Sequence, residues 1–553
     1  MDLGLRFCTI ADQRGCFVIL TETTGAAMIG AALARAGATH AFGIPGGEVL
    51  ALMQGLDMAG LRFVLVKHEN SGGFMAEGLW HMTGALPVLV ATLGPGVANA
   101  VNVVANAMQD RVPLIFLTGC VDAAEAETYT HQVFDHQAML RPVVKGSFRL
   151  AAGAVGAGMA KAIALATSGQ PGPVHVDVPI GVAEGLMAEA PVSFARSVVP
   201  GLPAAPALIT ARRVLSQAVR PLVIAGVDAV NDGVGPDITR FCRTHQIPLI
   251  TTYKAKGLLA EADLLALGAA GLSPLADKVL MPLIAAADCI VLVGYDPIEM
   301  RAGWRNPWGA EQVVIELATV PRSHGMHRVD HALLGGLAET LAALDHDAPP
   351  RWPLGQPVAA RAALKAHFAG PATWGPHAVF RTLRQAMPAE TVITADSGAH
   401  RILVSQMWDC PAPRQMLQSS GLCTMACAVP LAAGAKMGRP QVPVLAFVGD
   451  AGLEMGAGEL ATLAALRLPV VICVLVDNSL SLIEMKQRSS QRPNLGVDFG
   501  GTDFVGLARA FGGYGVAVND VDALRIAALS ALDRPTFTLI AAQIAQRAYD
   551  GAF

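Results

Sequence analysis

Apolar positions along this chain gather into short continuous runs, separated by glycine, proline and acidic turns and by stretches with helical spacing. Val88–Leu93, Pro221–Ala225, Cys289–Val293, Val444–Val448 and Val470–Val476 are apolar at nearly every position, as strands buried on both faces are. His40–Ile44, Leu61–Val66, Pro113–Thr118, Gly172–Pro179, Pro248–Thr252 and Thr391–Ala395 read as further strands. Helical patterns occupy Thr24–Ala36, closed by Gly37-Ala38, the stretch from Gly94-Pro95-Gly96 to Met108, and Glu459–Leu466, stopped at Leu468-Pro469. Strand and helix alternate throughout, which predicts an α/β chain of doubly wound parallel sheets. Proline clusters at 191, 200, 203 and 206, and again at 349, 350, 353, 357 and 371, read as two linkers. They divide the chain into an N-terminal extension (1–20) and domains at 21–185, 205–345 and 374–553.

Composition narrows this picture. A length of 553 residues suits about three domains, and 53% apolar against 15% charged residues suits large buried sheets. A net charge of −4 without a basic cluster gives no reason to expect nucleic acid binding. The nine cysteines include no CxxC pair, and Cys423 and Cys427 lack neighbouring histidines, so reduced thiols and a cytoplasmic protein are expected. The first twenty residues carry Asp2, Arg6, Asp12 and Arg14 and lack an apolar core of signal-peptide length. No run reaches the ~18 unbroken apolar residues of a membrane helix, so no membrane contact is expected.

Candidate chemistry lies at strand ends. Val444–Met485 reads strand, tight turn, helix, strand, loop, and its two parallel strands end at Asp450 and Asn478, 28 residues apart. Both ends fall on the edge where open α/β sheets bind ligands. A carboxylate and an amide oxygen there form a hard, oxygen-only half-cage suited to Mg²⁺ completed by phosphate oxygens and water. Gly449, Ala451 and Gly452 leave room for a diphosphate at the helix start. Taken singly, Gly-Asp and Asp-Asn are also ordinary turn residues. Glu69 follows the Leu61–Val66 strand, and taken alone it reads equally as a helix-start acid favoured by the helix dipole. The Thr130–Gln137 and Arg141–Phe148 stretches read as loops, and Met425 taken alone reads as core filler.

Together these motifs resemble the thiamine diphosphate (ThDP) enzymes of the acetolactate synthase and pyruvate decarboxylase superfamily, over about residues 21–545. The signature Gly-Asp, then Asp-Asn after about 28 residues, implies Asp450, Asn478 and the carbonyl of Leu480 as metal ligands, with Gly449, Ala451, Gly452 and Ser479 around the diphosphate. Ala451 stands where the family usually has a second glycine. The Lys67-His68-Glu69 stretch resembles the segment whose glutamate contacts N1′ of the aminopyrimidine. That role implies a buried Glu69 with a raised pKa, sharing a proton and generating an ylid. Gly398 to His400 resembles an element that reaches the diphosphate. Ser420-Gly421-Leu422-Cys423-Thr424-Met425 resembles the run whose large apolar residue wedges between the two cofactor rings. Cys423 replaces a glycine or other small residue there. Gln132 and Arg141–Phe148 resemble the acetolactate synthases, and the His131-Gln132 pair resembles their catabolic, FAD-independent branch, implying that Gln132 bonds the substrate carbonyl or the bound intermediate, with His131 and Lys145 as lesser candidates. The three domains would then be pyrimidine-binding, central Rossmann-like and diphosphate-binding.

The central domain has no full GxGxxG, and Gly294-Tyr295-Asp296-Pro297-Ile298-Glu299 with Trp304 resembles the FAD-free branch, so FAD is not expected. The implied reaction joins two pyruvates into acetolactate and CO₂ through ylid and enamine intermediates, in a homodimer or homotetramer with shared sites. Alternatives are another ThDP enzyme (a 2-oxo acid decarboxylase, an acyloin or diketone lyase, or an acyltransferase) and a catalytically silent ThDP-fold binding protein. The family's glyoxylate carboligases lack the glutamate, and its pyruvate decarboxylases carry paired histidines where Gln132 follows His131. Ser479–Gln487, without the tryptophan of anabolic acetolactate synthases, would line the acceptor side.

Overall fold

A computed structural model describes residues 7–11, 17–189, 192, 201–322, 324–347 and 351–553. The apolar runs become the inner strands of three six-stranded parallel sheets, in an α/β protein. The chain forms two compact units, Met1–Ser197 and Val198–Phe553.

The first unit holds one sheet. From edge to edge it runs Arg62–Leu65, His40–Gly43, Val88–Ala91, Ile115–Cys120, Val174–Pro179 and Gly146–Arg149. Numbered along the chain within the sheet, the order is 2-1-3-4-6-5. The inner strands Val88–Ala91, Ile115–Cys120 and Val174–Pro179 are buried at every position, whereas the edge strands are half exposed. The edge strand Gly146–Arg149 falls in a stretch that the sequence reads as loop, because its residues do not form an apolar run. The charged residues Asp2, Arg6, Asp12 and Arg14 of the expected extension lie outside the described residues; Phe7–Ala11 and Phe17–Thr21 pair antiparallel. Pro191, Pro200, Pro349 and Pro350 of the two expected linkers also lie outside them.

The second unit holds two sheets. The central one runs Ala266–Ala269, Leu249–Thr251, Pro221–Ala225, Cys289–Val293, Val313–Ala318, His331–Leu334, which is the Rossmann order 3-2-1-4-5-6. The other runs Met416–Gln418, Val392–Ala395, Val444–Gly449, Val470–Val476, Thr538–Gln543, Tyr514–Val518, repeating the 2-1-3-4-6-5 order of the first unit. One apolar core passes from Leu222 of the central sheet and Trp304 outside it to Phe447 of the last sheet and Trp408 outside that one. A buried ion pair, Lys256 Nζ to Glu261 Oε1 at 2.6 Å, ties the two together, because Glu261 Oε2 also accepts the Cys410 N–H at 2.6 Å.

Three local readings change. The tight turn after Gly449 is itself a helix, Asp450–Gly456, followed by a second, Glu459–Ala465. The loop expected at 479–487 is largely the helix Ser481–Ser489. Glu484 and Arg488 pair on it one turn apart, the helical spacing that identifies it. The end of the chain, which carries no motif to place it, is folded down: Tyr549 and Ala552 are buried, and Asp550 accepts from Arg488 Nη2 at 2.5 Å. Among the described residues, no helix is long and apolar enough to cross a membrane.

Candidate active site

Polar groups collect at the carboxyl ends of strands in both 2-1-3-4-6-5 sheets. In the first unit, His68 caps the helix Glu69–Thr83 through its ring, and Glu69 opens the first turn. Glu69 is 4% exposed, and its Oε2 accepts from Asn99 Nδ2 at 3.0 Å. Asn99 sits on the helix Pro95–Gln109, whose Gly94-Pro95-Gly96 start brings Gly96 against Glu69 Oε1. Gly94 has φ +66°, and any Cβ there would overlap the Gln132 carbonyl, so the turn and the Gln132 loop are packed together. Gln132 is exposed and itself has φ +59°. The structure thus brings Glu69, the glycine turn and Gln132 to one place.

A buried network that the sequence did not reveal supports this arrangement. The Gly94 N–H donates to His136 Nε2 at 3.3 Å, and His136 Nδ1 bonds Asp177 Oδ1 at 2.8 Å. Thr118 and His175 complete the network, with Thr118 Oγ1 donating to Asp177 Oδ1 at 2.8 Å. Burial would raise the Asp177 carboxyl, but hydrogen bonds and charge from His136 and His175 hold it well below the usual range. His131 and Lys145 stand apart from this cluster. His131 is exposed beside Tyr129, and Lys145 Nζ donates to the carbonyls of Ser168 and Gln170.

In the second unit, Asp450 begins its helix directly after Gly449 and is 3% exposed. Its Oδ2 accepts the N–H groups of Asp477 (3.1 Å) and Asn478 (2.7 Å), and Oδ1 accepts that of Ala451 (2.9 Å). Asp450 and the Asp477-Asn478 turn therefore meet at the ends of adjacent strands. Burial pushes the Asp450 carboxyl above its ordinary value, opposed by those backbone donors. Asn478 is exposed in the left-handed region, φ +56°. The Leu480 carbonyl accepts from Ile483 N (2.7 Å) and Glu484 N (3.0 Å) at the start of the next helix, and Ser479 Oγ donates to Asp498. His400 is buried against Gly398 and Gly449, and its Nε2 has no hydrogen-bond partner. Burial, then the charge of Arg401, brings the imidazole down to about 3. A buried, unsatisfied ring nitrogen beside the Asp450 turn suits an anionic ligand group, and the oxygen donor set suits Mg²⁺.

The comparisons with known proteins agree with this geometry. The thiamine pyrophosphate enzyme N-terminal TPP binding domain matches residues 23–139, the central domain 208–344 and the C-terminal TPP binding domain 396–542. The chain is 30% identical to an acetolactate synthase large subunit of Parasynechococcus marenigrum, over 94% of this chain and 87% of that one. The chain belongs to the thiamine pyrophosphate enzymes. It is also 27% identical to an acetolactate synthase of Bacillus subtilis, over 91% of this chain and 90% of that one. A Pseudomonas aeruginosa protein named "Probable 2-ketoarginine decarboxylase" is 31% identical, over 89% of each chain.

As a thiamine pyrophosphate enzyme, the chain carries cofactor-binding domains in both units. In the C-terminal one, Met425 is only partly buried, unlike a core methionine, and follows Cys423 at φ +54°. The Cys423 thiol donates to the Ser420 carbonyl and receives Arg401 Nη2 at 3.1 Å. The residue that fixes this loop is Asp396, directly after the Val392–Ala395 strand. Fully buried, it accepts the Ala426 N–H on Oδ2 and the Cys427 N–H on Oδ1, each at 2.8 Å. A carboxylate at a strand end, thirty residues before the loop it clamps, leaves no signal in local spacing.

Proposed function

We propose that this thiamine pyrophosphate enzyme is a Mg²⁺-dependent carboligase or decarboxylase of 2-oxo acids, with acetolactate formation from pyruvate as its main reaction. The observation that carries the reading is the Asp450 carboxylate closed onto the Asp477-Asn478 turn, with the unpartnered His400 Nε2 beside it. Asp450, Asn478 and the Leu480 carbonyl would hold the metal, the last sharing its oxygen with two helical N–H groups. Gly398, His400, Gly449, Ala451, Gly452 and Ser479 would receive the diphosphate, and Cys423 and Met425 the ring junction. The bound cofactor supplies a carbanion and an electron sink for decarboxylation.

The side chains of this protein do the rest. Glu69 holds and returns a proton at N1′ of the aminopyrimidine, steadied by Asn99. Met425 keeps the two rings folded and excludes water from the reacting carbon. Gln132, fixed against Gly94, orients the substrate carbonyl. Glu69 and Asp450 belong to separate compact units, and the resemblance joins such halves across two subunits, so we read the protein as a homodimer or homotetramer with shared sites. The domain limits 21–185, 205–345 and 374–553, a cytoplasmic location and independence from FAD belong to the same proposal.

Purified protein with ThDP, Mg²⁺ and pyruvate tests it, with products separated by mass spectrometry. Acetolactate as the main product supports the reading. Neither acetolactate nor acetaldehyde, with ThDP bound, overturns the pyruvate assignment. A second reading, decarboxylation of a longer 2-oxo acid, rests on the 31% identity to the Pseudomonas protein. Release of CO₂ from 2-ketoarginine, without ligation, decides for it.

A further inference from the structure

In the central sheet, Glu316 is the one acid in a strand of valine, isoleucine, leucine and alanine, Val313–Ala318. It is 6% exposed, and its Oε1 makes no hydrogen bond. The chain leaving this strand brings His324 and His327 back against it. One ligating atom from each of the three side chains lies within 4.8 Å of the others. Both ring nitrogens of His324 and both of His327 are buried without a hydrogen bond to another residue. Five buried polar atoms left unsatisfied at one spot are costly unless something occupies it. The rings are held in place: His327 packs on Trp308 (4.9 Å between centroids), Tyr295 (5.5 Å) and His324 (4.7 Å).

The nearest cation is Arg322, whose Nη2 is engaged by Asp228 at 2.9 Å and whose Nε stands 3.7 Å from Glu316 Oε1, beyond hydrogen-bond length. Asp228 and Asp296 add negative charge around the cluster. Burial lowers both imidazoles from their ordinary value, His327 down to about 4. The other buried trio, His136, His175 and Asp177, differs on this point. Its ring nitrogens already bond Gly94, Asp177, Thr118 and Ser147.

We infer that Glu316, His324 and His327 form a binding site for a divalent transition-metal ion, Zn²⁺ foremost. Two imidazoles and one carboxylate suit zinc, cobalt or nickel, whereas magnesium and calcium prefer oxygen ligands. A metal here would take one nitrogen of each ring and a Glu316 oxygen, leave Arg322 on Asp228 and hold His324 and His327 to the sheet.

The test uses the full chain, stripped with a chelator, returned to excess Mg²⁺ to fill oxygen-only sites, and titrated with Co²⁺. The expected result is one tight equivalent with the strong visible bands of four- or five-coordinate cobalt. His324→Gln and His327→Gln should each weaken it by more than the roughly 10- to 100-fold that loss of an outer partner costs. His136→Gln should leave it intact. Absence of a tight equivalent, or bands that survive both substitutions, overturns the site. Should those variants fail to fold, anomalous diffraction from zinc-soaked wild-type crystals decides. A peak bounded by Glu316, His324 and His327 supports the site, and a peak elsewhere or none overturns it.

Discussion

Glu69 and Asp450 are the same kind of group in the same kind of place. Each is a buried acid in the first turn of a helix, at the carboxyl edge of a sheet ordered 2-1-3-4-6-5. Their partners differ. Glu69 receives a side-chain amide from Asn99, while Asp450 receives three main-chain N–H groups. A side-chain donor tolerates a carboxyl that gains and loses a proton, with little rearrangement. Three rigid backbone donors favour a fixed, ionised carboxylate of the kind that holds a metal. In the proposed site, one fold would thus prepare one acid to exchange protons and another to stay put.

The sharpest way to break this contrast is Glu69→Gln. It should remove turnover, by at least the roughly 10²–10⁴-fold of general acid–base catalysis, while calorimetry still shows ThDP binding. Full activity would sink the proton-exchange role. Asp450→Asn should do the reverse, losing Mg²⁺ and with it the cofactor. It should also cost about 1.5–3 kcal/mol of stability, the worth of hydrogen bonds to a charged group. Unchanged Mg²⁺ affinity would contradict the fixed-ligand role.

Asp396→Ala leaves the Ala426 and Cys427 N–H groups without their acceptor, at about 1–3 kcal/mol per buried donor. Denaturant unfolding should show that loss, and kcat should fall more than KM as Met425 loosens. A raised KM with kcat unchanged would mean that the clamp acts on binding alone. Asn99→Ala removes one hydrogen bond, about 1 kcal/mol, and should lower kcat without abolishing activity. A further effect, read only against pH, concerns His400, whose folded value of about 3 lies below its ordinary 6.5. Its neutral form contributes stability above pH 6.5 that is lost as pH falls through about 3. Unfolding free energies across that range should flatten in His400→Gln.

Much of this was legible in the chain. Val444–Val448 and Val470–Val476 read as buried strands because parallel sheets covered on both faces need unbroken apolar runs. Asp450 and Asn478 were legible because the strand–helix–strand between them fixes their meeting. Gly146–Arg149 was not, since a half-exposed edge strand needs no apolar run. Asp396 and the His136–Asp177 pair were hidden for another reason. Their partners lie 30 to 41 residues away, and neither periodicity nor turn chemistry carries such contacts. The pairing of Asp550 with Arg488 on the Ser481–Ser489 helix is likewise purely tertiary.

The clamp formed by Asp396 also sets how freely the neighbouring sequence can drift. A methyl group on Gly452 would overlap Asp396 Oδ2, and that oxygen cannot retreat while it holds the Ala426 N–H. Position 451, which already bears a methyl group, gives its N–H to Asp450. Of the two small residues after Asp450, then, the second is frozen by the fold itself, whereas the first answers only to the diphosphate it would receive. A saturation library at 452, scored for folded protein, should return glycine alone.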